Sequence, residues 1–327
     1  TLVRTSLVSR NIQLDLEYTI TQNEPVTLAE TTSVMFSAFE QGTLKDAEVD
    51  AFASGAAADL NYRLFTPDTA ASSERPLVVW LHGGGEGGWA EAQDNALPLL
   101  ANRGALGFAT AEAQDIFGGA YVLAPQATDR WFNDAEMGYS AKLKALIDDV
   151  VANNSIDPSR IYVVGASNGG YMAARLGSDY PDYFAAVVPI CPGVVSRGTT
   201  LLTDEELAVL NDVPTWIVQA TTDDTLPFEE NGGHMADIVT NATLSAYPDV
   251  TWDGVTYPPH WSWIYVANND PVNDEGQHIW QWMAAQKLAE KPGSVVPFTL
   301  DAQVLDSGQQ VVSLTLETSD LNVDGTS

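Results

Sequence analysis

Ile161-Tyr162-Val163-Val164-Gly165-Ala166-Ser167-Asn168-Gly169-Gly170-Tyr171-Met172-Ala173-Ala174-Arg175-Leu176 joins a short apolar run to a helix-forming one through a stretch of small residues. A run of four β-formers is too short for a buried helix and reads as a strand. Tyr171 to Leu176 reads as a helix. Between them, glycines two before and two after Ser167 relieve crowding in a sharp turn and leave the Ser167 side chain above the end of the sheet. A bare G-x-S-x-G arises by chance in many proteins; the strand before it and the helix after it make this one informative.

Outward from that turn, short apolar runs alternate with longer helical segments. Strands are expected at Leu60–Phe65, Leu77–Leu81, Tyr121–Ala124, Ile161–Val164, Ala185–Ile190, Thr215–Gln219 and Leu244–Tyr247. Helices are expected at Ala141–Asn153, Gly170–Asp179, Met235–Asn241 and His278–Glu290. This alternation predicts an α/β fold with a doubly wound, mostly parallel sheet. It spans residues 58–293. The flanks, 1–57 and 294–327, are rich in Thr, Ser and Val with patterns such as Ile12-Gln13-Leu14-Asp15-Leu16, and read as β structure outside that core.

The composition narrows the function classes. With 44 acidic against 14 basic residues, the formal charge of −30 repels phosphate backbones and anionic lipid surfaces, so nucleic acid is not an expected partner. The same charge keeps an exported protein soluble without specifying a substrate. No apolar run approaches the ~18 residues of a membrane span. The chain opens at Thr1 without Met or a signal peptide, which fits a mature secreted protein or a trimmed chain. Cys191 is the one cysteine; it closes the apolar run Val187-Val188-Pro189-Ile190, where a thiol behaves as a small hydrophobe rather than as a nucleophile. No oligomeric state is assigned.

A serine at such a turn needs a base, an acid to orient it and donors for an oxyanion. Pro76-Leu77-Val78-Val79-Trp80-Leu81 runs into His82-Gly83-Gly84-Gly85-Glu86-Gly87-Gly88, whose glycines let backbone N–H groups approach a developing negative charge. Gly84 and Asn168 are the assigned oxyanion donors. His82 precedes Ser167 and is read as holding the loop; a phosphate cradle would need a following Lys-Ser or Lys-Thr. In folds of this kind the order is Ser, acid, His, each after a strand. The acid then falls after Thr215–Gln219, at Asp223 or Asp224. Of the later histidines, His234 lies at a helix start and His278 opens a segment whose Trp280, Trp282 and Met283 look like packing residues. His260, in a Pro- and Trp-rich loop, is the better base. Trp89, Trp131 and Trp261 are candidates for lining an apolar substrate cleft, with core packing as the competing role.

Together these residues resemble the secreted esterases and prolyl-oligopeptidase-like hydrolases of the α/β-hydrolase superfamily, including relatives of feruloyl esterases and polyhydroxyalkanoate depolymerases. The resemblance covers about Asp59 to Lys291. It rests on Leu60-Asn61-Tyr62-Arg63-Leu64-Phe65-Thr66-Pro67, the His82 glycine loop, Ala124-Pro125-Gln126 with Trp131, the Ser167 turn, Asp223 through Pro227, and His260-Trp261-Ser262-Trp263. It implies Asp223 as the acid and His260 as the base. It departs at Gln219-Ala220, where the family has His-Gly. The expected activity is serine ester hydrolysis on aromatic or polymeric esters, with no metal or organic cofactor. A serine peptidase of the prolyl-oligopeptidase type and a non-catalytic binding module are the alternatives. Asp301–Asp306 and Val311–Leu316 resemble opening strands of an immunoglobulin-like domain, with residues near Arg10–Gln22 as candidates for later strands of the same subdomain.

Overall fold

The computed structural model describes residues 47–70, 73–88, 97–100, 103–289, 298–305 and 308–316. Eight strands form one sheet: β1 (Phe52–Ala57), β2 (Leu60–Phe65), β3 (Arg75–Leu81), β4 (Tyr121–Gln126), β5 (Ile156–Ala166), β6 (Ala186–Ile190), β7 (Trp216–Ala220) and β8 (Thr243–Tyr247). Their spatial order is β1-β2-β4-β3-β5-β6-β7-β8. β2 is antiparallel to both neighbours, and every pairing from β4 to β8 is parallel. This is the mostly parallel sheet that the alternating pattern predicts, in the arrangement that the resemblance to α/β-hydrolases implies.

The sheet is covered on both faces, so its central strands are buried throughout rather than alternating. Leu77, Val79 and Leu81 of β3 join a core with Ile161, Val163 and Val187. Helices α2 (Tyr139–Ala152) and α3 (Asn168–Asp179) supply the rest of that layer. α2 presents Leu143, Leu146, Ile147 and Val150, the i, i+3, i+4, i+7 stripe of an amphipathic helix, all buried. Each such side chain contributes about 2 kcal/mol on leaving water. On the opposite face, α1 (Ala111–Phe117) and α5 (Ile279–Ala285) meet through aromatic packing: the Phe108 ring lies 5.7 Å from Trp280 and 6.2 Å from Phe117, and Phe117 lies 5.9 Å from Tyr162.

The strand–turn–helix reading of residues 161–176 is realised with little room to spare. A Cβ on Gly165 would lie 2.1 Å from the Gly169 carbonyl oxygen, and one on Gly169 would lie 2.0 Å from that of Leu81. Both contacts are with backbone, which cannot step aside. Gly169→Ala is therefore expected to lower stability by at least about 2 kcal/mol. A urea melt of the variant checks this; a midpoint equal to wild type would show that the turn has slack.

Two features differ from the sequence reading. Phe52–Ala57, assigned to the N-terminal flank, is instead the edge strand β1, paired in register with β2 from Phe52–Phe65 to Ala57–Leu60. Compactness divides the chain between Lys287 and Leu288, rather than at the 293/294 boundary expected from composition. In the second unit, Phe298–Leu305 and Gly308–Leu316 form an antiparallel pair with a bulge at Asp301/Ala302. Arg10–Gln22, the candidates for companion strands, lie outside the described residues. Among the described residues no helix is long and apolar enough to cross a membrane.

Candidate active site

Ser167 follows β5 at the centre of the sheet, with φ 57° and ψ −112°, a conformation that L residues rarely adopt. Such strain costs about 1–3 kcal/mol and persists only where the surroundings enforce it. Here the Ser167 N–H donates to the Ile190 carbonyl at 2.8 Å and its carbonyl accepts from Tyr171 N at 3.0 Å, fixing the turn from both sides. The side chain is half-buried, and its Oγ lies 2.9 Å from His260 Nε2. His260 Nδ1 lies 2.8 Å from Asp223 Oδ2. Three side chains from the loops after β5, β7 and β8 thus form one continuous hydrogen-bonded line.

Asp223 is buried, and all of its carboxylate is used. Oδ1 accepts from the N–H groups of Thr225 and Leu226 at 2.9 and 3.1 Å; Oδ2 accepts from His260 and from Gln219 Nε2 at 3.0 Å. Burial opposes the charge, but the hydrogen bonds from His260, Leu226 and Thr225 outweigh it and hold the carboxyl below the ordinary aspartate range. Asp224 is exposed, and its Oδ1 meets Thr225 Oγ1 at 3.4 Å. For His260, burial disfavours the cation, yet the Cys191 sulfur and the Asp223 carboxylate together hold the imidazole above its ordinary range. Burial pushes the Cys191 thiol up, so at neutral pH that sulfur is uncharged and the pull that operates is that of Asp223.

The His260 loop is tied down from below. Cys191 Sγ donates to the His260 carbonyl at 3.2 Å, and Ser262 Oγ accepts from Ala220 N at 2.9 Å, linking the His260 loop to the end of β7. Cys191, Asp223 and His260 bring one potential metal-ligand atom each within 4.8 Å of one another. Both carboxylate oxygens and both imidazole nitrogens already have protein partners.

The glycine loop runs past the elbow. A Cβ on Gly83 would lie 3.9 Å from Ser167 Cβ, and one on Gly84 would lie 3.8 Å from Asn168 Cβ. Asn168 opens α3, where backbone N–H groups have no acceptor within the helix and the helix dipole is positive. His82 ties the loop in place: its Nε2 accepts from Ala127 N at 3.0 Å, which puts the ring proton on Nδ1 beside the Gly83 carbonyl at 2.6 Å. Gly88 N–H also donates to the Ala127 carbonyl at 2.7 Å, and Gln126 Nε2 to that of Glu86 at 3.0 Å.

Of the three tryptophans expected near a cleft, Trp131 requires correction. It is fully buried; its indole N–H donates to the His82 carbonyl at 3.1 Å and its backbone N–H to Asn168 Oδ1 at 2.6 Å. Its ring packs on His82 and Tyr139, so it supports the glycine loop from inside. Trp261 is half-buried beside His260, with the Tyr257 ring at 6.3 Å and the Trp263 ring at 6.2 Å. Trp263 stands edge-on to the His260 ring at 5.6 Å and, with Gly83 and Ala166, borders a small cleft beside Ser167. Trp89 lies outside the described residues. The remaining histidines are engaged elsewhere: His234 Nε2 pairs with Asp204 at 2.8 Å, and His278 Nδ1 lies 2.6 Å from the Asn269 carbonyl. Sequence reasoning missed the parts played by Gln219 and Ser262. Gln219 carried a signal, as a departure from the resembled pattern; Ser262 carried none.

Comparison with known proteins agrees with this architecture. Residues 60–202 match the family model described as Esterase PHB depolymerase. The chain is 36% identical over 132 residues to the esterase candidate NocK of Nocardia uniformis subsp. tsuyamanensis, covering 39% of this chain and 37% of that one. It is 34% identical over 93 residues to poly(3-hydroxyalkanoate) depolymerase C of Paucimonas lemoignei, covering 25% and 22%. The chain thus spans well under half of the length of these curated relatives, 37% and 22%. A solved structure titled as that of a thermostable esterase superposes with a TM-score of 0.62 at 29% identity, over 74% of this chain and 65% of the other. The chain has the α/β-hydrolase fold, and its core is similar to esterases.

Proposed function

We propose that the chain is a serine carboxylic-ester hydrolase working through an acyl-enzyme. The observation that carries the reading is the unbroken line from Ser167 Oγ through His260 to the buried Asp223. In the first half-reaction Oγ attacks the ester carbonyl carbon while its proton passes to His260 Nε2; Asp223 holds the imidazolium and its orientation. The oxyanion is met by the N–H groups of Gly84 and Asn168, and the alcohol leaves with the proton from Nε2. A water molecule, deprotonated by the same nitrogen, then attacks the acyl carbon, releasing the acid and restoring Ser167.

Aromatic or polymeric esters are the proposed substrates. Support comes from the Tyr257–Trp261–Trp263 aromatic cluster beside the base and from the depolymerase named among the relatives. The strongly acidic composition fits a secreted enzyme. A panel of p-nitrophenyl esters of increasing chain length, an aromatic ester and a polyester film tests this, run alongside labelling with a serine-reactive fluorophosphonate. Turnover with stoichiometric labelling at Ser167 is expected; absence of both would leave a binding module that retains the fold.

A further inference from the structure

We propose that Gln219 is a positioning residue that acts through Asp223 to set the protonation of His260. The inference rests on the acid–base reading above. Gln219 is fully buried at the end of β7, and its amide group is wholly engaged. Its two N–H bonds go to Asp223 Oδ2 at 3.0 Å and to the Leu226 carbonyl at 2.6 Å; its Oε1 accepts from Gly232 N at 2.8 Å. An amide has two donors and one acceptor oxygen, so this is a complete and directional set. Gly232 opens α4 (Gly232–Ile238), and a Cβ there would lie 2.4 Å from Gln219 Oε1, so the glycine is what admits the amide.

The consequence lies in the sharing of Oδ2. One lone pair of that oxygen receives His260 Nδ1 and the other receives Gln219, so the carboxylate cannot turn without breaking one of them. A neutral donor on Oδ2 also withdraws part of the negative charge that would otherwise stabilise the imidazolium. Gln219 therefore lowers the basicity that Asp223 confers on His260. Among the described residues the titratable groups facing His260 are Asp223 from the β7 loop and Cys191 from the β6 end; the thiol is neutral near pH 7, which leaves the carboxylate as the group through which an adjacent donor acts.

The test is an NMR titration of His260, one of four histidines in the chain, in wild type, Gln219→Met and Gln219→Leu. Met and Leu both remove the donors, Met at similar length and Leu with a branched apolar side chain. Both are expected to raise the His260 midpoint by at least about half a pH unit and to move the acidic limb of kcat/KM the same way. Midpoints equal to wild type in folded variants would overturn the proposal. Wild type alone gives a second measurement that needs no variant to fold: the Gln219 side-chain amide resonances should shift as His260 titrates, and an amide that ignores that titration would equally overturn it. Because these readouts need no turnover, failure of the positioning role is distinguishable from failure of the esterase reading, which the fluorophosphonate and ester panel decides.

Discussion

Ser167→Ala is expected to reduce ester hydrolysis by at least about a thousandfold and to abolish fluorophosphonate labelling, with the fold preserved. The substitution removes Oγ and its 2.9 Å contact with His260 Nε2 but leaves the backbone bonds from Ser167 N to Ile190 and from Tyr171 N to Ser167 in place. Alanine at φ 57° carries the same strain that serine carries, so the stability change is that of one half-buried hydrogen bond, about 1 kcal/mol. Single-turnover kinetics with an activated ester, together with a thermal melt, checks both halves. Residual turnover above about a thousandth of wild type in a folded variant would point to a different nucleophile.

The parts of the molecule that were legible in the sequence are those where local pattern and tertiary role coincide. β5, the Ser167 turn and α3 can be read because the glycines at 165 and 169 are demanded by contacts within a few ångströms of the serine itself. β1 was misread for an equally specific reason. Its residues, Phe52-Ala53-Ser54-Gly55-Ala56-Ala57, are mostly small, so no period of two is visible. Its hairpin turns on Ala58 and Asp59, at φ 50° and 61°, without the glycine that normally marks such a turn. Trp131 was placed in a cleft because it follows Pro125-Gln126 near the catalytic loops; only the fold shows that both its N–H groups point inward to His82 and Asn168. Gln219 and Ser262 act on residues 4 and 42 positions away, at Asp223 and Ala220. Pairings of that second kind depend on which strands are neighbours, and a single sequence does not encode strand order in its local pattern.

The choice of base follows from the same geometry and has the second large expected effect. His260→Ala should lower kcat by at least about a thousandfold with a modest change in KM, while His278→Ala should cost less than about tenfold. His260 touches both the nucleophile and the acid, whereas His278 is exposed at the start of α5 with its Nδ1 against the Asn269 carbonyl, so its loss removes one hydrogen bond at a helix entrance. The pH dependence carries a sign that tests the assignment further. A general base must be neutral to accept the Ser167 proton, so kcat/KM should rise with pH through the His260 pKa. Because Asp223 holds that pKa above the ordinary value, the midpoint should lie above about pH 6.5. Linkage gives the matching stability term: with its folded pKa raised, His260 contributes stability that is complete below about pH 6.5 and is lost as pH rises through the folded value. Activity and this part of stability therefore run in opposite directions across the same window. In His260→Ala the contribution is absent, so the fall in melting temperature on raising the pH should be smaller than in wild type. A melt profile with unchanged slope, or a larger kinetic loss in His278→Ala with both variants folded by circular dichroism, would remove His260 from the role of base.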